Sequence, residues 1–171
     1  LSKQPGVKIG FKAAAAKPSA TVVIDGARIV TMKGDEVIDN GRIVIKDNRI
    51  AAIGKAADVA APAGATRIQA AGKTVIPGLV DAHWHGAMGE DGMVPQQSWV
   101  DYAGLAFGVT TVHDPSNDTG TIFTHSEMQR TGQLVGPRIY STGTILYGAK
   151  GNFAAPVNSL DDALTHVRRL K

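Results

Sequence analysis

The feature that most constrains the fold of this chain is the order of its apolar segments after residue 74. Short runs rich in β-branched residues alternate there with segments of helical character. The strand-like runs are 75–85, 108–112 and 137–142, and the helical segments are 98–107, 123–134 and a helix that begins with a capping pattern at Ser159. Strands that alternate with helices pair in parallel. We therefore expect an α/β chain with three successive βα units in this part.

Residues 21–53 show a different residue pattern, with four short β-rich runs separated by turn residues. The turn sequences are Asp25-Gly26, Lys33-Gly34-Asp35, Asn40-Gly41 and Asp47-Asn48. Asn-Gly in particular tolerates the positive φ angles of tight hairpins. This pattern predicts a small antiparallel meander, and the small-residue stretch 56–71 is expected to cross the surface.

Composition excludes several classes of function. The 18 cationic and 15 acidic residues are scattered, so the net charge of +3 does not indicate nucleic-acid binding. No apolar stretch approaches the roughly 20 residues of a membrane span, and residues 1–20 lack the order of a signal peptide. We therefore expect no membrane partner, and the sequence leaves the compartment open. Cysteine is absent, so any metal must be bound by His, Asp, Glu or a modified Lys.

The sequence Asp81-Ala82-His83-Trp84-His85 carries the strongest chemical signal. Alternate residues of a strand point to one face, which would place Asp81, His83 and His85 together and Trp84 opposite, packed against helices. Two neighbouring imidazoles can bind one Zn²⁺ at about 2.0–2.1 Å, and βα-barrel sites form at the carboxyl ends of strands. The alternative is that the histidines are hydrogen-bonded strand residues without a metal. We favour the metal reading for the whole pattern.

Other polar residues follow the next two strands. His113 and Asp114 come after the second strand, and Tyr140 and Tyr147 after the third, so all four are candidates to line a substrate pocket. The alternatives are a loop turned by Asp114 and its following proline, and tyrosines that only pack. His125, on a predicted helix, is expected to face solvent.

Residues 77–85 resemble the signature of the first barrel strand in the amidohydrolase superfamily of metal-dependent hydrolases. Segments 25–30, 48–54 and 72–76 resemble the small β-sandwich that precedes the barrel, and 108–112 resembles the second barrel strand. The likeness is greatest to imidazolonepropionase-like and prolidase-like members, some of which follow a β-propeller. It implies a linker or interdomain segment over 1–20, the N-terminal part of a β-sandwich domain over 21–73, and the first three βα units of an incomplete TIM (β/α)8 barrel over 74–171.

The resemblance also implies a function. One or two divalent metal ions, typically zinc, would activate water to hydrolyse an amide or other C–N bond of a small molecule. His83 and His85 would be metal ligands, and Asp81 would orient an imidazole from outside the coordination shell. Family members take their remaining ligands and an Asp general base from later strands, so we expect a fragment that is inactive alone and whose general base lies outside this chain.

Two other functions stay open. One is deamination of a heterocycle by a member of the same superfamily. The other is a non-catalytic structural or interaction module in which the histidines hold no metal. Association into a homo-oligomer, and a β-propeller upstream of residue 1, are further expectations.

Overall fold

The computed structural model describes residues 18–86, 93–95, 97–148 and 154–170, so the segment predicted as a linker lies almost wholly outside the described residues. The strands are β1 (Thr21–Val30), β2 (Val37–Lys46), β3 (Arg49–Lys55), β4 (Thr66–Gln69), β5 (Thr74–Val75), β6 (Leu79–Asp81), β7 (Val109–Asp114), β8 (Arg138–Ser141), β9 (Ile145–Tyr147) and β10 (Ala154–Pro156). The helices are α1 (Trp99–Ala106), α2 (Thr119–Thr131) and α3 (Leu160–Leu170). The chain is thus mixed α/β, as expected.

A five-stranded sheet contains the first part of the chain, in the order β3-β2-β1-β4 with β5 also paired to β1. The predicted meander is confirmed, because β1, β2 and β3 pair in antiparallel succession. The stretch 56–71, expected to cross the surface, also contains a strand that we did not predict: β4 is exposed along its length and pairs with β1 in parallel, followed by β5. These two strands satisfy backbone groups along the edge of β1 that β2 leaves open.

Two of the four predicted turns lie inside strands. The turn at residues 33–35 and the turn at Asp47 and Asn48 do connect strands, the latter with positive φ at both residues. Gly26, with φ of 79°, lies within β1, where Asp25 pairs with Arg42 and Ala27 with Gly41. Gly26 is therefore the extra residue of a β-bulge. Glycine fits this position easily because it tolerates positive φ, so β1 continues through it.

A polar cluster fixes this sheet. The Asp25 carboxylate accepts hydrogen bonds from Arg42 Nε at 3.0 Å and Nη2 at 3.1 Å, and lies 3.4 Å from Arg67 Nη1. Arg42 Nη1 also donates to the carbonyl oxygen of Ala56 at 2.8 Å. The hydrogen bond from Arg42 lowers the pKa of Asp25 below its usual 3.8. The cluster therefore joins β1, β2 and β4 through charge-assisted bonds.

The lowered pKa of Asp25 predicts how the stability of the chain depends on pH. A depressed carboxyl pKa adds stability that is fully present above the unfolded-state value of 3.8 and is lost as pH falls through the lower folded-state pKa. Asp25→Asn should therefore lower the melting temperature at neutral pH, with a deficit that shrinks in acid below pH 3.8. Asp39→Asn is the matched control, because Asp39 is 86% exposed in its pair with Arg28 and should change little. If Asp25→Asn lowers the melting temperature by the same amount at all pH values, the lowered pKa of Asp25 is contradicted.

A second sheet is formed by β6, β7 and β8, which pair in parallel in that order. The predicted alternation of strands and helices is confirmed, with α1 and α2 in the two connections. Strand β6 is shorter than the predicted strand over 75–85. It is not buried either, since Leu79 and Val80 are 50% and 67% exposed. The reason is that Val75 belongs to the first sheet and Pro77, which has no N–H to donate, separates it from β6.

The core of this second unit consists of Val112, Ile122 and Ile139, with Trp84 and Val109 packed against it. These residues place α2 against β7 and β8.

Helix α2 begins four residues before the predicted start at 123. Asp118 caps it by accepting the N–H of Thr121 at 2.8 Å, and the hydrogen bonds from Thr121 lower the pKa of Asp118. The helix ends at Gly132, whose φ of 76° is the left-handed conformation typical of a C-cap.

The last described elements are a parallel pair of short strands, β9 and β10, which we did not predict, and α3. The predicted cap of α3 is present, since Ser159 Oγ accepts the N–H of Asp162 at 3.1 Å. None of the helices in the described residues is both long enough and apolar enough to cross a membrane.

The expectation that His125 faces solvent is wrong. His125 and Asp101 are both fully buried, and Nε2 of His125 lies 2.6 Å from Oδ2 of Asp101, which joins α2 to α1. The carboxylate of Asp101 supplied a partner that helical spacing in the sequence could not reveal. Buried polar groups of this kind are stable only as pairs.

Breaking that pair should destabilise the chain strongly. His125→Leu removes the partner of a buried carboxylate whose Oδ1 makes no hydrogen bond within the described residues, so we expect a loss of about 3–5 kcal/mol in the free energy of unfolding. Glu127→Gln on the same helix breaks an exposed pair with Arg130 and should cost at most about 1 kcal/mol. Urea unfolding followed by circular dichroism measures both, and similar losses in the two variants would refute the distinction.

Candidate functional site

The two candidate histidines lie just beyond the carboxyl end of β6, in the irregular segment 82–86 and not within the strand. The backbone N–H of Trp84 donates to the carbonyl oxygen of His113 at 2.9 Å, which holds this segment alongside β7. The Trp84 side chain packs against the core of Val112, Ile122 and Ile139, so the prediction that it serves packing is confirmed. Gly86 lies against that ring so closely that a Cβ would overlap the indole.

The rings of His83 and His85 converge despite the loss of strand geometry. Their Nε2 atoms are 3.1 Å apart, and the ring centroids are 5.0 Å apart at an interplanar angle of 73°. Two nitrogens that each lie about 2.0–2.1 Å from one tetrahedral ion are separated by about 3.3 Å. The spacing thus suits either a shared cation or an N–H···N hydrogen bond between neutral rings.

A buried carboxylate lies next to one of these rings. Asp114, the last residue of β7, is fully buried, and its Oδ1 is 3.4 Å from Nδ1 of His85. The same carboxylate accepts the backbone N–H of Ser116 at 2.9 Å and the side-chain amide of Asn117 at 2.8 Å. Asp114 therefore contacts protein groups and presents no surface to a substrate.

Asp81 ends β6 at the start of the histidine segment, and its predicted role in orienting an imidazole stays a prediction. Its Oδ1 accepts the backbone N–H of His83 at 3.1 Å, which shapes the start of the irregular segment. Sequence reasoning missed the contact between Asp114 and His85. The signal that could have found it is the parallel register of β6 and β7. Asp81 pairs with Val112, so Asp114, two residues further along β7, lies beside the segment that follows Asp81.

His113 and Tyr140 are paired in register on β7 and β8. Both line an open cleft of about 490 Å³, together with Phe123 and Arg138. Tyr147 lies on β9, is 55% exposed, and within the described residues makes no hydrogen bond or ion pair with the two histidines. The structure therefore brings together His113 and Tyr140 but not all four pocket candidates.

The donor set fits part of a metal site. Nowhere in residues 18–86, 93–95, 97–148 and 154–170 do three or more His, Asp or Glu side chains converge as metal ligands. The two Nε2 atoms match two positions of a catalytic zinc, which usually has three protein ligands and a water. A further protein ligand would have to come from outside the described residues.

Comparison with known proteins identifies relatives of this chain, although no family model matches it. An adenine deaminase of Paracoccus denitrificans is 35% identical over 103 residues, covering 60% of this chain and 17% of the relative. A dihydroorotase of Geobacter sulfurreducens is 31% identical over 152 residues, covering 83% of this chain and 34% of the relative. The chain thus spans about a third or less of the length of these curated relatives.

Solved structures share the fold. A Xaa-Pro dipeptidase with methionine bound in its active site superposes with a TM-score of 0.66 at 20% identity, over 88% of this chain and 44% of that one. Deaminases, dihydroorotases and amidohydrolase-fold dipeptidases of this kind are members of one group. From these relatives and this fold, the chain belongs to the amidohydrolase superfamily.

Proposed function

We propose that this chain supplies the first two metal ligands of a metal-dependent hydrolase that cleaves an amide or other C–N bond in a small molecule. The observation that carries the proposal is the 3.1 Å separation of the Nε2 atoms of His83 and His85 beyond the carboxyl end of β6. Membership of the amidohydrolase superfamily supports the class of reaction. The metal is proposed to be zinc, as one or two ions.

When bound, a metal of this kind polarises the scissile group and lowers the pKa of a coordinated water toward about 7. The protein's own residues have narrower tasks. His83 and His85 hold the ion through neutral imidazole nitrogens. His113 and Tyr140 line the cleft that Phe123 and Arg138 also border and are proposed to contact the substrate, whereas the general base is expected outside this chain.

The same proposal includes the architecture. We assign residues 21–73 to the N-terminal part of a β-sandwich domain and residues 74–171 to the first three βα units of a TIM-type barrel, preceded by an interdomain segment over 1–20. The parallel order β6-β7-β8 supports this, because polar residues at the carboxyl ends of barrel strands form the active site. Later strands would then complete the metal site, and a homo-oligomer and an upstream β-propeller remain further proposals.

Deamination of a heterocycle is the second candidate. The adenine deaminase match at 35% identity over 103 residues favours it, since that relative's name describes deamination of a heterocycle. Release of ammonia from purine-like heterocycles, compared with hydrolysis of dipeptides and cyclic amides, separates the two reactions. A non-catalytic module predicts neither activity and no retained metal.

The metal assignment predicts the behaviour of three variants of the full-length protein. His83→Ala and His85→Ala should each lower metal affinity and activity by more than roughly 10- to 100-fold. That is the loss typical when a residue that hydrogen-bonds a metal ligand is removed, whereas each of these variants removes a ligand itself. His166→Ala on α3 is the matched control and should keep both. Metal content by mass spectrometry, hydrolysis rates and thermal unfolding are measured on all three. Near-normal metal content and activity in the first two variants would reject the proposal.

A further inference from the structure

We infer that Asp114 is a positioning residue that fixes the ring of His85, and the proton on it, so that Nε2 is presented to a metal. This inference rests on the proposed function of the histidine pair. It also changes the part given to Asp114, from a candidate in the substrate pocket to a buried support behind a ligand.

The contacts of Asp114 carry the first step. Its Oδ1 receives the N–H of Ser116 and its Oδ2 receives the amide of Asn117, at 2.9 and 2.8 Å, so the carboxylate is held in one orientation. It has no exposed surface, so bulk solvent does not compete for the carboxylate. The remaining neighbour is Nδ1 of His85 at 3.4 Å. A fixed carboxylate favours the tautomer that carries its proton on that nitrogen.

The second step concerns the other nitrogen. A neutral imidazole with its proton on Nδ1 has its lone pair on Nε2, and in His85 that atom faces Nε2 of His83 at 3.1 Å. Nδ1 and Nε2 are separated by Cε1 and point in different directions, so Asp114 meets one nitrogen of His85 and His83 meets the other. Asp114 is thus placed to orient the ligand and not to become one.

The third step is that the support is built into the sheet. Asp114 pairs with Ser141 in the parallel register of β7 and β8, two residues beyond the buried Val112. Asp81, by contrast, accepts the main-chain N–H of His83, and within the described residues no hydrogen bond joins it to an imidazole. The two carboxylates therefore act on different groups: Asp81 shapes the backbone at His83, and Asp114 fixes the side chain of His85.

Asp114→Asn is the variant that separates positioning from folding. Asparagine has nearly the same volume and can still accept the N–H of Ser116 through its oxygen, although its amide then faces the amide of Asn117. Thermal unfolding of the metal-free variant therefore measures the structural cost separately. Loss of the charge should lower metal affinity about 10- to 100-fold, measured by chelator competition on the full-length protein. The visible absorption of the Co²⁺-loaded variant should also change, because that spectrum reports ligand geometry. Asp118→Asn, a nearby cap for which asparagine is equally suited, is the matched control and should leave affinity and spectrum unaltered.

A second variant, Asn117→Ala, tests the inference even if Asp114→Asn does not fold. Asn117→Ala removes the donor to Oδ2 but keeps the charge, and should lower metal affinity by a smaller factor with normal thermal unfolding of the metal-free protein. Unchanged affinity and spectrum in every folded variant would overturn the inference. His85→Ala, measured alongside, keeps the two proposals apart: if it loses metal while Asp114→Asn does not, only the positioning role fails, and if it retains metal, the proposed site itself fails.

Discussion

The parallel pairing of β6 with β7 is the constraint on which the candidate site depends. Parallel strands bring their carboxyl ends to one edge of a sheet. Here the pairing of Asp81 with Val112 puts the histidine segment beside the end of β7, and the N–H of Trp84 extends the contact to the carbonyl of His113. The approach of Asp114 to His85 follows from this arrangement. A shift of the register would separate them.

The chemistry at that edge combines an exposed pair of imidazoles with a buried carboxylate. His85 is about half exposed, whereas Asp114 is completely enclosed, so the ring spans the boundary between solvent and core. Groups at such a boundary can meet an ion from solution and still be oriented by the protein. The membership of the amidohydrolase superfamily gives this arrangement its proposed use in C–N bond hydrolysis.

Local patterns predicted much of this fold, and long-range contacts, both strand pairing and polar pairs, account for much of what they missed. β-branched runs and turn residues were sufficient to predict the meander and the alternation of strands and helices. The partners of Asp25 and of His125 could not be predicted, because Arg42 and Asp101 are 17 and 24 residues away in sequence. The same holds for the site: spacing alone suggested that His83 and His85 are neighbours, yet it assumed a strand that in fact ends at Asp81. It could not reveal the contact between Asp114 and His85, because these residues lie on different segments.

The most direct test of the account is anomalous diffraction at the zinc edge from crystals of the metal-loaded full-length protein. The account predicts an anomalous peak bound by Nε2 of both His83 and His85 at about 2.0–2.1 Å from each, with Asp114 still against Nδ1 of His85. A metal bound elsewhere, with the two imidazoles hydrogen-bonded to each other, would contradict it.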